Sequence, residues 1–403
     1  MPLLTIHEAE AMILADLPVL PAEGCSILNA HGRVLRKSVQ ADRDQPPFDR
    51  VTMDGYALKF ASWEAGNRRF KIEGNPQAAG TIQRSLESEN GCVEIMTGSL
   101  LPLGTDAVVP YEETKAADGL MSVSPELVLK HGNAVHWQGS DFPKDAMMLS
   151  PGVRLSGREI AVAASVGASS LTVSTLPSIA VVATGDELVD VDAHVSPHHV
   201  RRSNDYAMRA ALIAAGYPRV ERFHLRDMKY ELETQMKRLI VEFDVVLLSG
   251  GVSKGKFDFL PTVLTELGVQ KKFHGVRQRP GKPFWFGITP RRTPVFALPG
   301  NPVSSYTCLR RYVLPALAQM SGLAPEKPDY VALASAISFK PDLAYLMPVR
   351  VDTQADGKRL ARPDPTNTSG DFAGLVGTDG FVELPWEQSE FPAGYVARFW
   401  PWS

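Results

Sequence analysis

Three carboxylates and two glycine-rich loops stand where an enzyme would keep its chemistry. Glu187 follows an apolar run in Thr184-Gly185-Asp186-Glu187, Asp227 follows a second expected strand at 220–225, and Asp258 ends the loop that begins Ser249-Gly250-Gly251-Val252-Ser253-Lys254-Gly255-Lys256. Without side chains at Gly250 and Gly251, the backbone can approach a ligand closely and turn N–H donors toward an anion. Ser253, Lys254 and Lys256 add a hydroxyl and positive charge to the same loop. A second loop reads Pro299-Gly300-Asn301-Pro302-Val303-Ser304-Ser305 and opens a helical stretch. Pro302 suits the first helical position, and the first-turn N–H groups with the Ser304 and Ser305 hydroxyls could hold a phosphate. Arg279-Pro280-Gly281-Lys282 supplies two further cations. The basic half of this set calls for a polyanionic ligand. The carboxylates call for a hydrated Mg²⁺ bridging protein and phosphate oxygens, since without a cation they would repel that ligand.

Each piece alone is ordinary: a Gly-Gly is usually a turn, and a Gly-Asp-Glu is usually a helix start. Their placement makes them informative. Strands read at 179–183, 220–225, 245–248 and 295–298 alternate with helical patterns at 203–215, 229–242, 259–267 and from 302 to about 320. Alternation of this kind implies a parallel sheet with helices on both faces. Ligands of such sheets bind at the carboxyl ends of the strands, where these residues fall. No Walker A motif is present, and no Gly-x-Gly-x-x-Gly follows a strand, which argues against an ordinary ATPase or Rossmann dehydrogenase.

The rest of the chain divides around this segment. Thr5 and Glu8 have capping-box spacing, and Ile6, Ala9, Ile13 and Leu17 recur with helical period. A second short helix is expected at 29–35, and helical spacing returns at 156–166. Between them Gly and Pro punctuate short apolar runs at 70–72, 92–96, 107–109 and 127–129, a texture of strands and turns. The expected organisation is a helical domain at 1–40 and 145–176, interrupted by a β-rich domain at 41–144. An α/β domain follows at 177–326 and a small C-terminal β-barrel or sandwich at 327–403. A length of 403 residues accommodates several domains of the usual ~150 residues.

Bulk properties exclude other classes. The net charge of −3 provides no general basic face for nucleic acid. Cys25, Cys92 and Cys308 lack metal-ligand spacing, and so few thiols are expected of a reduced, cytoplasmic protein. No signal peptide is expected, and no apolar run approaches the ~18 residues needed to span a membrane. His198-His199 reads as a solvated loop and Cys308 as packing in a helix.

In order along the chain, several motifs together resemble the molybdopterin molybdenumtransferases, the family that includes the large domain of the cytosolic plant enzyme and the C-terminal region of gephyrin. They are Asp49-Arg50 through Met53-Asp54-Gly55-Tyr56-Ala57, Thr97-Gly98 with the Asp106-Ala107-Val108-Val109 that follows, Thr184 through Leu188, Ser249 through Ser253, Pro280-Gly281-Lys282-Pro283, and Leu298 through Pro302. The resemblance covers essentially the whole chain. It implies a molybdopterin-binding α/β domain and an elongated homodimer. It also implies a Mg²⁺-assisted reaction of molybdate with adenylylated molybdopterin that releases AMP. By position, it implies that Glu187, Asp227 and Asp258 lie near metal and molybdate, and it assigns Asp54, Thr97 and Asp141 to the catalytic set. Near Asp141 the chain departs from the family pattern, with His136-Trp137 where an Arg is usual. Two other readings stand beside it: a non-catalytic scaffold of the same fold, or a molybdopterin adenylyltransferase, which the α/β domain alone resembles. Possible partners are such an adenylyltransferase and maturation proteins of molybdenum enzymes.

Overall fold

The structure is a computed structural model that describes residues 3–251, 259–325 and 327–402. It contains two compact units: residues 1–36, 151–156 and 171–403 in one, and residues 37–150 and 157–170 in the other.

The larger unit is built on a six-stranded sheet. Its strands are β1 (Ile179–Thr184), β2 (Val220–Leu225), β3 (Val245–Ser249), β4 (Gln270–His274), β5 (Trp285–Ile288) and β6 (Pro294–Leu298), in the order β2-β1-β3-β6-β5-β4. The first four in that order are parallel, as the alternating sequence pattern implies, whereas β5 and β4 extend the edge antiparallel. Side-chain alternation explains the uninterrupted apolar runs. Ile179, Val181, Val245, Leu247, Phe296 and Leu298 enter one core, while Ala180, Val182, Val246, Leu248, Val295 and Ala297 enter another. A strand buried on both faces has no position left for a polar side chain.

Helix α1 (Ile6–Asp16) forms as its capping box specifies: Thr5 Oγ1 accepts the Glu8 N–H at 3.2 Å, and Glu8 accepts the Thr5 N–H at 2.8 Å. Its buried residues Ile6, Ala9 and Ile13 join the first core of the sheet. The helix expected at 29–35 is absent. Only a 3₁₀ turn at Ile27–Asn29 forms, Gly32 takes a φ of +76°, and Val34 and Leu35 make β-bridges to Arg154 and Val173. Four helices flank the sheet strands: α2 (Asn204–Ala214), α3 (Lys229–Glu242), α4 (Leu260–Glu266) and α5 (Pro302–Cys308). After α5 the chain widens into a π segment at Leu309–Val313 and resumes as α6 (Leu314–Met320). Pro315 explains the slip, because it has no N–H for the carbonyl four residues earlier.

The C-terminal segment closes into a five-stranded barrel. Strand β7 (Asp329–Leu333) pairs with β9 (Arg359–Pro363) and β11 (Val396–Pro401), and β8 (Ala344–Thr353) pairs with β9 and β10 (Gly380–Leu384). The β10–β11 pair completes the ring. One face of each strand fills the barrel, with Met347, Val382 and Phe399 among the residues inside. The other face sends Leu346, Phe381 and Trp400 into the core beneath the α/β sheet.

The smaller unit holds a six-stranded sheet in the order Ala107–Pro110, Gly55–Leu58, Gly91–Ile95, Arg69–Ile72, Leu120–Val123, Thr114–Ala117. Residues 127–129 are not a strand. They are apolar because Leu127 and Leu129 pack on the sheet core as a loop. The hairpin Thr114–Ala117/Leu120–Val123 turns at Asp118-Gly119, with both φ angles positive, as two-residue hairpin turns require.

An ion cluster joins the N-terminal helix, the core helix and the barrel. Arg311 is fully buried and donates to Glu10 at 2.8 and 3.1 Å and to Glu383 at 2.9 Å, while its guanidinium lies 4.4 Å over the Trp400 ring. Trp400 Nε1 also donates to Glu383 at 3.1 Å. Burial by itself would raise the Glu10 carboxyl, but the bond and charge of Arg311 outweigh it and hold the group below its usual range. The contribution of that carboxylate is therefore present above its unfolded pKa and is lost as pH falls through the lowered one. Arg311→Leu leaves two carboxylates uncompensated and is expected to cost about 3–5 kcal/mol in urea unfolding at neutral pH. The deficit relative to the unaltered chain should shrink in acid, and a deficit that grew in acid would contradict this role.

Candidate functional site

The register of the parallel strands brings their carboxyl ends to one level. Thr184 pairs with Leu225, Ala183 with Ser249, and Ser249 with Leu298, so Gly185, Arg226, Gly250 and Pro299 all begin their loops side by side. The glycines are required there by space as well as by φ. At Gly250 (φ +101°) a Cβ would lie 2.7 Å from the Thr184 carbonyl oxygen, and at Gly251 (φ +69°) 2.9 Å from Thr184 Oγ1. That hydroxyl is buried and finds no hydrogen-bond partner among the described residues.

Two of the sequence-predicted carboxylates, Glu187 and Asp227, stand on loops at adjacent strand ends of this edge. Asp227, at the end of β2, donates its backbone N–H to Asp186 Oδ1 at 3.2 Å, which ties its loop to the one carrying Glu187. Glu187 is exposed, and its carbonyl accepts the Val200 N–H at 2.8 Å. No group of three His, Cys, Asp or Glu among the described residues is placed to hold a metal ion by itself. Mg²⁺ commonly takes only one or two carboxylates and completes its shell with water and substrate phosphate, so hard oxygen donors on adjacent strand ends fit it. The predicted Ser253, Lys254, Lys256 and Asp258 lie outside the described residues.

Asn204, the first residue of α2, is a site residue that the sequence reading passed over. Its Nδ2 donates to Ser249 Oγ at 2.8 Å and to the Gly300 carbonyl at 2.7 Å, joining the ends of β3 and β6. Ser203, which precedes the helix, makes no side-chain capping bond, and the asparagine beside it fixes the helix start to the strand ends. An Asn at a helix start was the available signal, but it reads as simple capping until the strand ends are known to surround it.

A cleft of about 300 Å³ gathers five of the twelve predicted anion-binding residues. Arg279, Lys282, Pro299, Asn301 and Ser304 line one side, and Tyr345, Thr366, Thr368 and Ser369 line it from the barrel segment. Asn301 Nδ2 donates to Ser369 Oγ at 2.7 Å, and the Val303 N–H donates to the Ser369 carbonyl at 3.1 Å. Gly300 and Pro302 form the turn into α5 between these contacts. The first helical turn is less open to an anion than its sequence suggests. Its Val303 N–H is taken by Ser369, its Ser305 N–H by the Asn301 carbonyl, and the Ser305 hydroxyl donates to the Pro299 carbonyl. Two cations and several hydroxyls remain along the walls. The contribution of Thr366, Thr368 and Ser369 was not legible, since nothing in a Thr-Asn-Thr-Ser loop reveals which cleft it borders. Cys308, deep behind Ser304, has its thiol pushed up to about 12 by burial, as an inert packing thiol should.

In the smaller unit, Asp54 and Thr97 form a pair. Thr97 donates both its hydroxyl and its backbone N–H to Asp54 Oδ1, each at 2.6 Å. The side-chain bond, then the backbone bond, hold the Asp54 carboxyl below the usual range. Asp141 lies with His136 instead: His136 Nε2 is 2.9 Å from Asp141 Oδ1, and its Nδ1 is 3.1 Å from Arg50. Because a guanidinium only donates, Nδ1 must accept, which leaves the proton on Nε2 to be donated to Asp141.

Comparison with known proteins agrees with this architecture. Residues 4–167 match the MoeA N-terminal region (domain I and II), residues 180–319 a probable molybdopterin binding domain, and residues 330–402 the MoeA C-terminal region (domain IV). A molybdopterin molybdenumtransferase of Synechocystis is 39% identical over 401 residues, covering 99% of this chain and 100% of its own length. One from Bacillus subtilis is 27% identical, covering 92% and 90% respectively. The crystal structure of a molybdopterin biosynthesis MoeA protein from Pyrococcus horikoshii superposes with a TM-score of 0.80 at 27% identity and covers 100% of both chains. The chain belongs to the molybdopterin molybdenumtransferase family.

Proposed function

We propose that this chain inserts molybdenum into molybdopterin, taking molybdate and adenylylated molybdopterin and releasing AMP. The observation that carries the reading is the cleft in which Arg279, Lys282 and Ser304 face Thr368 and Ser369, with Pro299 and Asn301 continuing it to the strand ends. In the reaction, water cleaves the phosphoanhydride to give AMP and the molybdopterin phosphate. The two dithiolene thiols replace two oxo ligands of molybdate, and the two thiol protons with two protons from solvent carry those oxygens away as water, with molybdenum keeping its oxidation state. Arg279 and Lys282 hold and orient the anionic groups, and the Ser304, Thr368 and Ser369 hydroxyls donate to their oxygens. Asn204 keeps the β3 and β6 ends at a fixed separation, so the phosphate-facing loops need not reorganise when substrate arrives. Glu187 and Asp227, with Asp258, would hold Mg²⁺. When bound, the cation supplies neutralisation of phosphate charge beside these carboxylates. The protein acts as a homodimer, and Asp54, Thr97 and Asp141 belong to its catalytic set.

The purified protein, given adenylylated molybdopterin and molybdate, is expected to release AMP in a Mg²⁺-dependent manner, and chelation should stop release. Absence of AMP under these conditions would exclude the reading, and consumption of ATP with molybdopterin would assign the adenylyl-transfer step instead.

The Thr97–Asp54 pair carries a pH prediction. Asp54 is held ionised to lower pH by Thr97, so its charged form should persist on the acid side of the rate profile. Thr97→Val removes the hydroxyl donor and should move the acid limb of kcat/KM to higher pH. An unmoved limb would separate Asp54 ionisation from turnover.

A further inference from the structure

Behind the cleft, Gln278 has both ends of its side-chain amide committed. It is fully buried and stands immediately before Arg279-Pro280-Gly281-Lys282. Its Nε2 donates to the Pro280 carbonyl at 3.1 Å and points to Cys308 Sγ at 3.5 Å, and its Oε1 accepts the Tyr312 hydroxyl. The Pro280 carbonyl can only accept, which fixes the amide orientation and makes Tyr312 the donor at the other end. Burial pushes the Tyr312 phenol far above its ordinary range, so the hydroxyl keeps its proton.

The partners share one helix. Ser304, Cys308 and Tyr312 recur every four residues from α5 into the π segment, so they fall along one face. Ser304 lines the cleft, Cys308 lies one turn deeper, and Tyr312 a further turn behind. Gly281 lets the loop press onto that face: its φ is +92°, and a Cβ there would lie 2.5 Å from Cys308 Sγ and 2.6 Å from Gln278 Nε2. On its other side the loop is paired to the barrel, Gln278 with Ala344 and Arg279 with Tyr345. Backbone pairing therefore fixes the loop against the barrel, and the Gln278 amide fixes it against the helix.

We infer that Gln278, held by Tyr312, is a positioning residue that sets the distance between the cations of the cleft (Arg279, Lys282) and the helix hydroxyl beside them (Ser304). This rests on the cleft being the anion site, and it goes further by naming the buried relay that spaces its cations from the Ser304 hydroxyl. The relay touches no substrate. Its loss should be felt as weaker anion binding more than as slower chemistry.

Calorimetry with molybdate alone, run beside AMP-release kinetics, tests this. In Gln278→Met, molybdate affinity should fall and KM for adenylylated molybdopterin should rise, each by about tenfold, with a smaller change in kcat. Gln278→Glu should be worse, since it turns a carboxylate oxygen toward the Pro280 carbonyl. Tyr312→Phe should act in the same direction more weakly and add nothing in the Gln278→Met background. It also carries the test if Gln278→Met does not fold. Unchanged molybdate affinity in a folded Gln278→Met, or full additivity with Tyr312→Phe, would overturn the inference while leaving the proposed reaction in place. Failure of the unaltered protein to bind molybdate would remove the anion site and the inference with it.

Discussion

The burial of one guanidinium between two carboxylates organises the larger unit. Arg311 lies on the helix that begins at Pro302, Glu10 on the N-terminal helix and Glu383 on a barrel strand. A charge removed from water is tolerable only when its partners are in place. Those partners come from the two ends of the chain, and the barrel must lie against the same helix whose first turn faces the cleft. The position of Thr366, Thr368 and Ser369 opposite Arg279 and Ser304 depends on that clamp. Trp400 reinforces it, covering the guanidinium and bonding Glu383.

From that frame the site is assembled by two kinds of constraint. Strand register sets the level of the loops that hold Glu187, Asp227, Gly250 and Gly300. Side-chain amides then set their spacing: Asn204 across the β3 and β6 ends, Asn301 to the barrel loop through Ser369, and Gln278 behind the cationic loop. Amides suit this work because each offers a donor and an acceptor without adding charge beside an anion site.

Much of this was legible in the sequence, and the limits have physical causes. The strands at 179–184, 245–249 and 294–298 were visible because a sheet buried on both faces demands unbroken apolar runs, and the edge strand 220–225 and the helix 229–242 also appear with the boundaries expected. Strands β4 and β5 were missed because the first carries Lys271 and Lys272 and the second contains Gly287, which obscure a strand pattern on the edge of the sheet. The helix expected at 29–35 failed because Gly32 turns the chain and Val34 and Leu35 are apolar for the sake of bridging. For the site, the motifs located Arg279, Lys282, Pro299, Asn301 and Ser304, which share one cleft. Asn204, Gln278 and the 366–369 loop were not legible, since their roles arise from partners far away along the chain.

The central claim is that the cleft between Arg279, Lys282, Ser304 and the 366–369 loop receives the oxyanion. A crystal soaked in molybdate tests it most directly, because molybdenum can be located by its anomalous scattering. A peak in that cleft, within hydrogen-bonding reach of both the cations and the hydroxyls, is the expected result. A cleft left without molybdenum while the metal binds elsewhere on the chain would contradict it.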